Sequence, residues 1–171
     1  MYPIDTLDQV LEVHYAPQPS SGAPLPFIMS DEQLVLLAYM VSESDKSISA
    51  KVKMMIADSP GYVALVEFAM PCAHMFGPPN DETITSHPLA ERGLRPYGVF
   101  EVLNSSWVRQ LARMNKIHRH HSPSRFEDLR HYIFSFHDST FECIAKSVAV
   151  NLREGSLRDV MFEMLKRLQG L

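Results

Sequence analysis

The stretch 129–150, LRHYIFSFHDSTFECIAKSVAV, decides how this chain folds. With Asp138 and Ser139 as a turn, its alternation sets Phe136 beside Phe141, Phe134 beside Cys143 and Tyr132 beside Ala145 on one face of an antiparallel hairpin. The residues between them place His131 opposite Lys146, Ile133 opposite Ile144, Ser135 opposite Glu142 and His137 opposite Thr140. One face is core, and the other gathers imidazoles, a carboxylate and hydroxyls. Such a face is either wet surface or a site. A one-residue slip would exchange the faces of one strand against the other, so register decides whether these groups can meet.

On the N-terminal side of the hairpin the pattern is strand-like over Leu34–Val41, 48–56, Tyr62–Met70 and Tyr97–Leu103. The apolar run YVALVEFAM at 62–70 reads as a central strand covered on both sides. Ser105 or Ser106 can cap a helix over 105–118 that buries Trp107, Leu111 and Met114 and displays Arg109, Arg113, Lys116 and His120. A last helix over 156–169 opens with Ser156 and Asp159 at capping-box spacing and ends at Gly170. It buries Leu157, Val160, Met161, Met164, Leu165 and Leu168, while Phe162 falls off the stripe as a lateral or oligomer contact.

Strands in succession, one helix, a hairpin and a closing helix do not alternate as βαβ units. The fold class expected is therefore α+β: a strongly bent, mainly antiparallel sheet of about five or six strands with two packed helices. Residues 1–26 form an N-terminal segment and a proline-rich connector, APQPSSGAPLP; 27–171 form one α+β domain. Alternation at Val10, Glu12 and His14 would let the segment dock as an edge strand. Residues 71–96 carry five prolines and no helix or strand pattern, and loops of that length are usually functional or mobile.

A content of 46% hydrophobic and 21% charged residues is that of a globular chain and excludes general disorder. The longest apolar run, LVLLAYMV, is far short of the roughly 20 residues that cross a bilayer. Asp5 and Asp8 stand where a secretory leader would be basic and then apolar, so the cytoplasm is the expected location and no membrane partner is expected. Cys72 and Cys143 read as reduced structural thiols. The net charge of −4 hides an asymmetry: residues 1–101 hold thirteen acids against five bases, whereas 102–126 hold five bases and no acid. A basic patch on an acidic chain suits an anion or the acidic surface of a second subunit.

Three chemistries use these residues. A metal site would draw on His74, Asp81 and His87, with Glu82, His131, His137, Asp138 and Glu142 in support, yet the spacing matches no ligand motif. No cofactor is expected, and histidines as caps explain the count. Acid–base catalysis would use His137 with Glu142 or Glu101, the 71–96 loop as lid and Arg109 or Arg113 as anion contact. Glu67 and Glu101 have the plainer role of facing the solvated side of a sheet. Asp138, Ser139 and His137 have the residue types of a hydrolytic triad, but neighbours on a tight turn cannot chain the required hydrogen bonds. An anion site would use Arg109, Arg113 and Lys116. Nucleic acid is not an expected partner, because no aromatic platform accompanies the stripe.

The strings GPPNDE, HPLAERGL and FHDSTFECIA are similar to those of bacterial proteins of comparable size that are themselves uncharacterised, over roughly residues 72–148. The resemblance implies a bacterial cytoplasmic protein and transfers no activity, cofactor or catalytic residue. The function expected is a binding or assembly module that pairs with itself or engages another protein or an anionic ligand. An enzyme acting on a small polar or anionic substrate is the alternative.

Overall fold

The computed structural model describes residues 2–22, 24–41, 58 and 60–170. Its strands are β1 (Gln9–Glu12), β2 (Phe27–Ser30), β3 (Leu34–Met40), β4 (Gly61–Ala69), β5 (Ala73–Gly77), β6 (Val99–Leu103), β7 (Arg130–Ser135), β8 (Thr140–Ala145) and β9 (Ser147–Gly155). Its helices are α1 (Ser106–Asn115), α2 (Ser124–Glu127) and α3 (Leu157–Leu168). The class is α+β. The described strands form two antiparallel sheets rather than one bent sheet, ordered β1-β6-β7-β8-β5 and β2-β3-β4-β9.

The split occurs at Lys146. The β8 strand ends at Ala145, and the Lys146 N–H bonds the Ala69 carbonyl at 3.1 Å, carrying the chain into β9 of the other sheet. A run that reads as one long hairpin arm is thus two strands in different layers.

The inner faces of the sheets interdigitate. Tyr39, Phe68, Phe134, Phe136 and Phe141 are fully buried there with Cys143. Aromatic ring centroids across the layers lie 5.4–5.9 Å apart, the spacing of tilted and edge-to-face packing. Burial pushes the Cys143 thiol far above its ordinary range, which keeps it protonated.

The hairpin register differs from expectation by two residues: Phe134 opposes Phe141, Tyr132 opposes Cys143 and Ser135 opposes Thr140. Residues Phe136–Ser139 form the connection, closed by the Phe136 N–H on the Ser139 carbonyl at 2.8 Å. Since faces repeat every two residues, this shift leaves the core face intact while bringing Glu142 opposite Ile133 and next to His131.

The N-terminal segment docks as an edge strand, β1 on β6. The 71–96 stretch is not structureless. It contains β5, which pairs with β8, and two 3-10 turns at Ile84–Ser86 and Ala90–Arg92. Sequence alternation missed β5 because its inward residues, Ala73 and Met75, are only partly buried, and exposed His74 and Phe76 separate them. The strand expected at 48–56 lies outside the described residues.

Helix α3 covers the outer face of the second sheet, setting Leu157, Val160 and Met164 on Leu36, Ala38, Met40, Val63 and Leu65. Its capping box forms: Ser156 Oγ accepts the Asp159 N–H, and the Asp159 carboxylate accepts the Ser156 N–H. Leu165 is 43% exposed instead of buried, and Phe162 is 60% exposed. Helix α1 lies on the outer face of the first sheet through Trp107, with Val108 and Leu111 partly buried. Met114 is 64% exposed, contrary to its expected packing, because a gap of about 270 Å³ lined by Leu111, Met114, Cys72 and Phe126 separates the end of α1 from α2.

Candidate functional site

The polar hairpin face is a sealed site. β8 presents Glu142, whose residue is 3% exposed, and three donors converge on its carboxylate. His131 Nε2 of β7 lies 2.8 Å from Oε2, Tyr2 Oη donates to Oε2 at 2.6 Å, and His87 Nε2 lies 3.0 Å from Oε1. Each comes from a different part of the chain: the hairpin itself, the N-terminal segment and the 71–96 stretch. Tyr2 is fixed by stacking on Trp107, with centroids 5.0 Å apart and planes at 4°.

The proton positions follow from the partners. The Leu89 N–H donates to His87 Nδ1 at 3.1 Å, so the ring proton sits on Nε2 and points at Glu142. On the far side of His131, Nδ1 meets Ser105 Oγ at 2.9 Å. Ser105 also caps α1 by accepting the Val108 N–H. Burial alone would push the Glu142 carboxyl up. The hydrogen bonds from His131 and His87 outweigh it and hold the group down at about 2.

Asp8, buried at the start of α1, accepts the Ser106 N–H at 2.6 Å, where the helix dipole favours negative charge. Asp5 pairs with Arg109 at 2.6 Å, and Arg92 donates to the Asp5 and Thr6 carbonyls. The N-terminal segment is thereby bound to the 71–96 stretch, the hairpin and α1.

A second cluster lies at the hairpin tip. His137 Nδ1 is 2.8 Å from Asp81 Oδ2, and Tyr97 Oη bonds both the same carboxylate and His137 Nδ1. Asp81 reaches the tip because its N–H donates to the His137 carbonyl at 2.9 Å. The His137 side chain is 42% exposed. Its hydrogen bond to Asp81 raises its pKa above the ordinary histidine value, and the Tyr97 and His137 bonds hold Asp81 below the ordinary carboxylate value. Burial, then the bond to Asp81, pushes the Tyr97 hydroxyl up to about 12. An imidazole held at Nδ1 by a carboxylate is the geometry of a general base.

The third feature is a cleft of about 550 Å³ between β6, α1 and α2. Arg109, Lys116, His121 and Arg130 stand around it, with Val102, Val108, Phe126 and Leu129 as apolar wall. Glu127 is the acid on its rim, and Ser105 and Asn104 close the end nearest β6. Arg130 approaches Glu101 only to 3.9 Å.

The residues singled out by sequence are distributed among these places. His137 and Glu142 belong to different clusters, each completed by the 71–96 stretch, through Asp81 in one and His87 in the other. Glu101 pairs loosely with Arg130, and Glu67 accepts from Arg167 at 2.7 Å. Of the basic stripe, Arg109 and Lys116 reach the cleft, and Arg113 is exposed outside its lining. His74, Asp81 and His87 have separate partners: Ser30, the Tyr97–His137 pair and Glu142. Among the described residues no three His, Cys, Asp or Glu side chains are arranged to hold a metal ion, and no helix is long and apolar enough to cross a membrane.

Sequence reasoning missed Tyr2, Asp8, Tyr97 and Ser105. The first three meet their partners only through tertiary contacts. Ser105 was visible as a cap and carried no sign of His131 behind it. No known family model, curated protein or solved structure matches the chain.

Proposed function

We propose that this chain is a binding module for a small anionic ligand carrying an apolar portion, and that the cleft between β6, α1 and α2 holds it. The observation that supports the reading is the cleft's composition: cationic side chains from α1, the α1–α2 connection and β7 around an apolar wall. Ligand pockets commonly pair a mostly apolar lining with a few placed polar groups at volumes of about 300–1,000 Å³. Lys116 and Arg130 approach from opposite elements and supply charge, while Phe126 and Leu129 supply surface for a ring or short chain.

Calorimetric titration with phenyl phosphate tests this. Binding is expected to weaken as salt rises, to fall at least about tenfold in Lys116→Glu, and to be lost when neutral phenol replaces phenyl phosphate. Equal binding by phenol, or none by phenyl phosphate, would overturn it. The exposure of Phe162 and Leu165 on α3 supports self-association as the second part of the reading. Light scattering after gel filtration, with Phe162→Ser as the disrupting variant, measures it.

A further inference from the structure

We infer that Ser105 is a nucleophile and that the chain hydrolyses carboxylic esters of anionic compounds bound in the α1–α2 cleft. This rests on the anion-binding reading of that cleft. The inference comes from the hydrogen-bond order behind the cleft wall. Glu142 draws the Nε2 proton of His131, which leaves Nδ1 as an acceptor 2.9 Å from Ser105 Oγ. Ser105 Oγ already accepts the Val108 N–H, so its own proton is directed at Nδ1. Serine, imidazole and carboxylate are thus chained in the order that activates a hydroxyl, with the two ring nitrogens exchanged relative to the familiar serine hydrolases. Such a triad is defined by geometry and roles, and these three residues come from three separate elements.

The setting suits a nucleophile. Ser105 lies in the turn that takes β6 directly into α1, and the residue before it, Asn104, has φ of 52°, in the left-handed region that non-glycine residues seldom occupy. Both residues form part of the cleft wall. The Ser106 N–H is held by Asp8, so a developing oxyanion would draw on the Arg109 guanidinium, which donates to the Asn104 carbonyl beside Ser105 and would exchange its exposed bond to Asp5 for the oxyanion. Lys116 and Arg130 also line the cleft and can hold the anionic end of a substrate there.

The chemistry balances with water as the second reactant. Ser105 Oγ forms a bond to the ester carbonyl carbon as its proton passes to His131 Nδ1. The carbon–oxygen bond to the alcohol breaks, and the alcohol leaves with that proton. Water then adds to the acyl group, giving a proton to Nδ1. The bond to Oγ breaks, the acid departs, and Ser105 regains its proton. Glu142 holds the imidazolium throughout.

The 4-nitrophenyl half-ester of succinic acid provides the assay, and a fluorophosphonate with mass spectrometry provides the covalent readout. Wild type is expected to release 4-nitrophenol above the buffer rate and to gain one adduct on Ser105. Ser105→Ala should lose both, by at least about 100-fold in rate. Because alanine removes the α1 cap, Ser105→Asn, which can still accept the Val108 N–H, is the second variant, checked as folded by circular dichroism. Ser106→Ala should behave as wild type. Folded wild type that binds phenyl phosphate yet shows neither turnover nor adduct, or a Ser105→Asn variant that retains turnover, would overturn the inference. Loss of phenyl phosphate binding alone would instead count against the binding reading.

Discussion

Two histidine–carboxylate–tyrosine clusters in this molecule use the same residue types and part company through burial alone. Glu142 with His131, His87 and Tyr2 is sealed under the 71–96 stretch and the N-terminal segment. Asp81 with His137 and Tyr97 sits at the hairpin tip in contact with water. Inside, each polar group must find a partner or carry a large desolvation cost, so the cluster is complete and its parts are interdependent. At the tip, water can replace any lost partner. Similar composition therefore gives a structural keystone in one place and an adjustable, solvent-facing titratable pair in the other.

The largest test of that contrast is removal of each carboxylate. Glu142→Ala should destabilise by roughly 3–5 kcal/mol, because three buried donors lose their acceptor together. Asp81→Ala should cost far less, since its partners are solvated. Urea unfolding of both variants reads the difference, and similar losses would dissolve the distinction. Tyr2→Phe comes next. It removes one donor and keeps the Trp107 stack, with an expected loss of about 1–3 kcal/mol. If Tyr2→Phe is neutral, the N-terminal segment is held by Asp8 and β1 instead.

Acid pH sharpens the comparison further. Glu142 has a folded pKa near 2, below its ordinary 4.5, so its contribution is complete above about pH 4.5 and fades as pH falls toward 2. The stability gap between wild type and Glu142→Gln should narrow over that window in denaturation series. The smallest effect concerns His137, whose raised pKa gives a contribution present below about pH 6.5 and lost as pH rises through the folded value. A nuclear magnetic resonance titration should place His137 above 6.5, and Asp81→Asn should bring it down. No change on that substitution would show that Asp81 does not set the titration.

Much of this architecture was legible wherever a periodic pattern met a buried surface. The two faces of β7 and β8, the strands Leu34–Met40 and Gly61–Ala69, the edge docking of β1 and the capping box of α3 all follow from alternation or spacing. The division into two sheets did not, because the crossing at Lys146 occurs within an unbroken strand-like run. Nor did Met114, which fits the helical stripe yet overhangs the gap beside α2. For the site, sequence marked His137, Glu142, Arg109 and Lys116 but paired the first two with each other. Their actual partners, Asp81 and His87, are supplied by a stretch whose path no local pattern encodes. The hydrolytic residue types noticed at Asp138 and Ser139 could not form a triad there, whereas Ser105 from the β6–α1 turn and His131 and Glu142 from the two paired hairpin strands form the chain of contacts.

The bond from Tyr2 to Glu142 joins residues 140 positions apart, which puts it on a clock. During synthesis at about 5–20 residues per second, the first tyrosine waits on the order of 7–30 s for its carboxylate to be made. Through that interval Trp107 and His131 appear in turn, so the aromatic stack can assemble before the charge arrives beneath it. The nascent chain therefore carries Tyr2 unmatched until Glu142 has been translated, and the buried cluster can close only after the strands and helices that lie between them have been made.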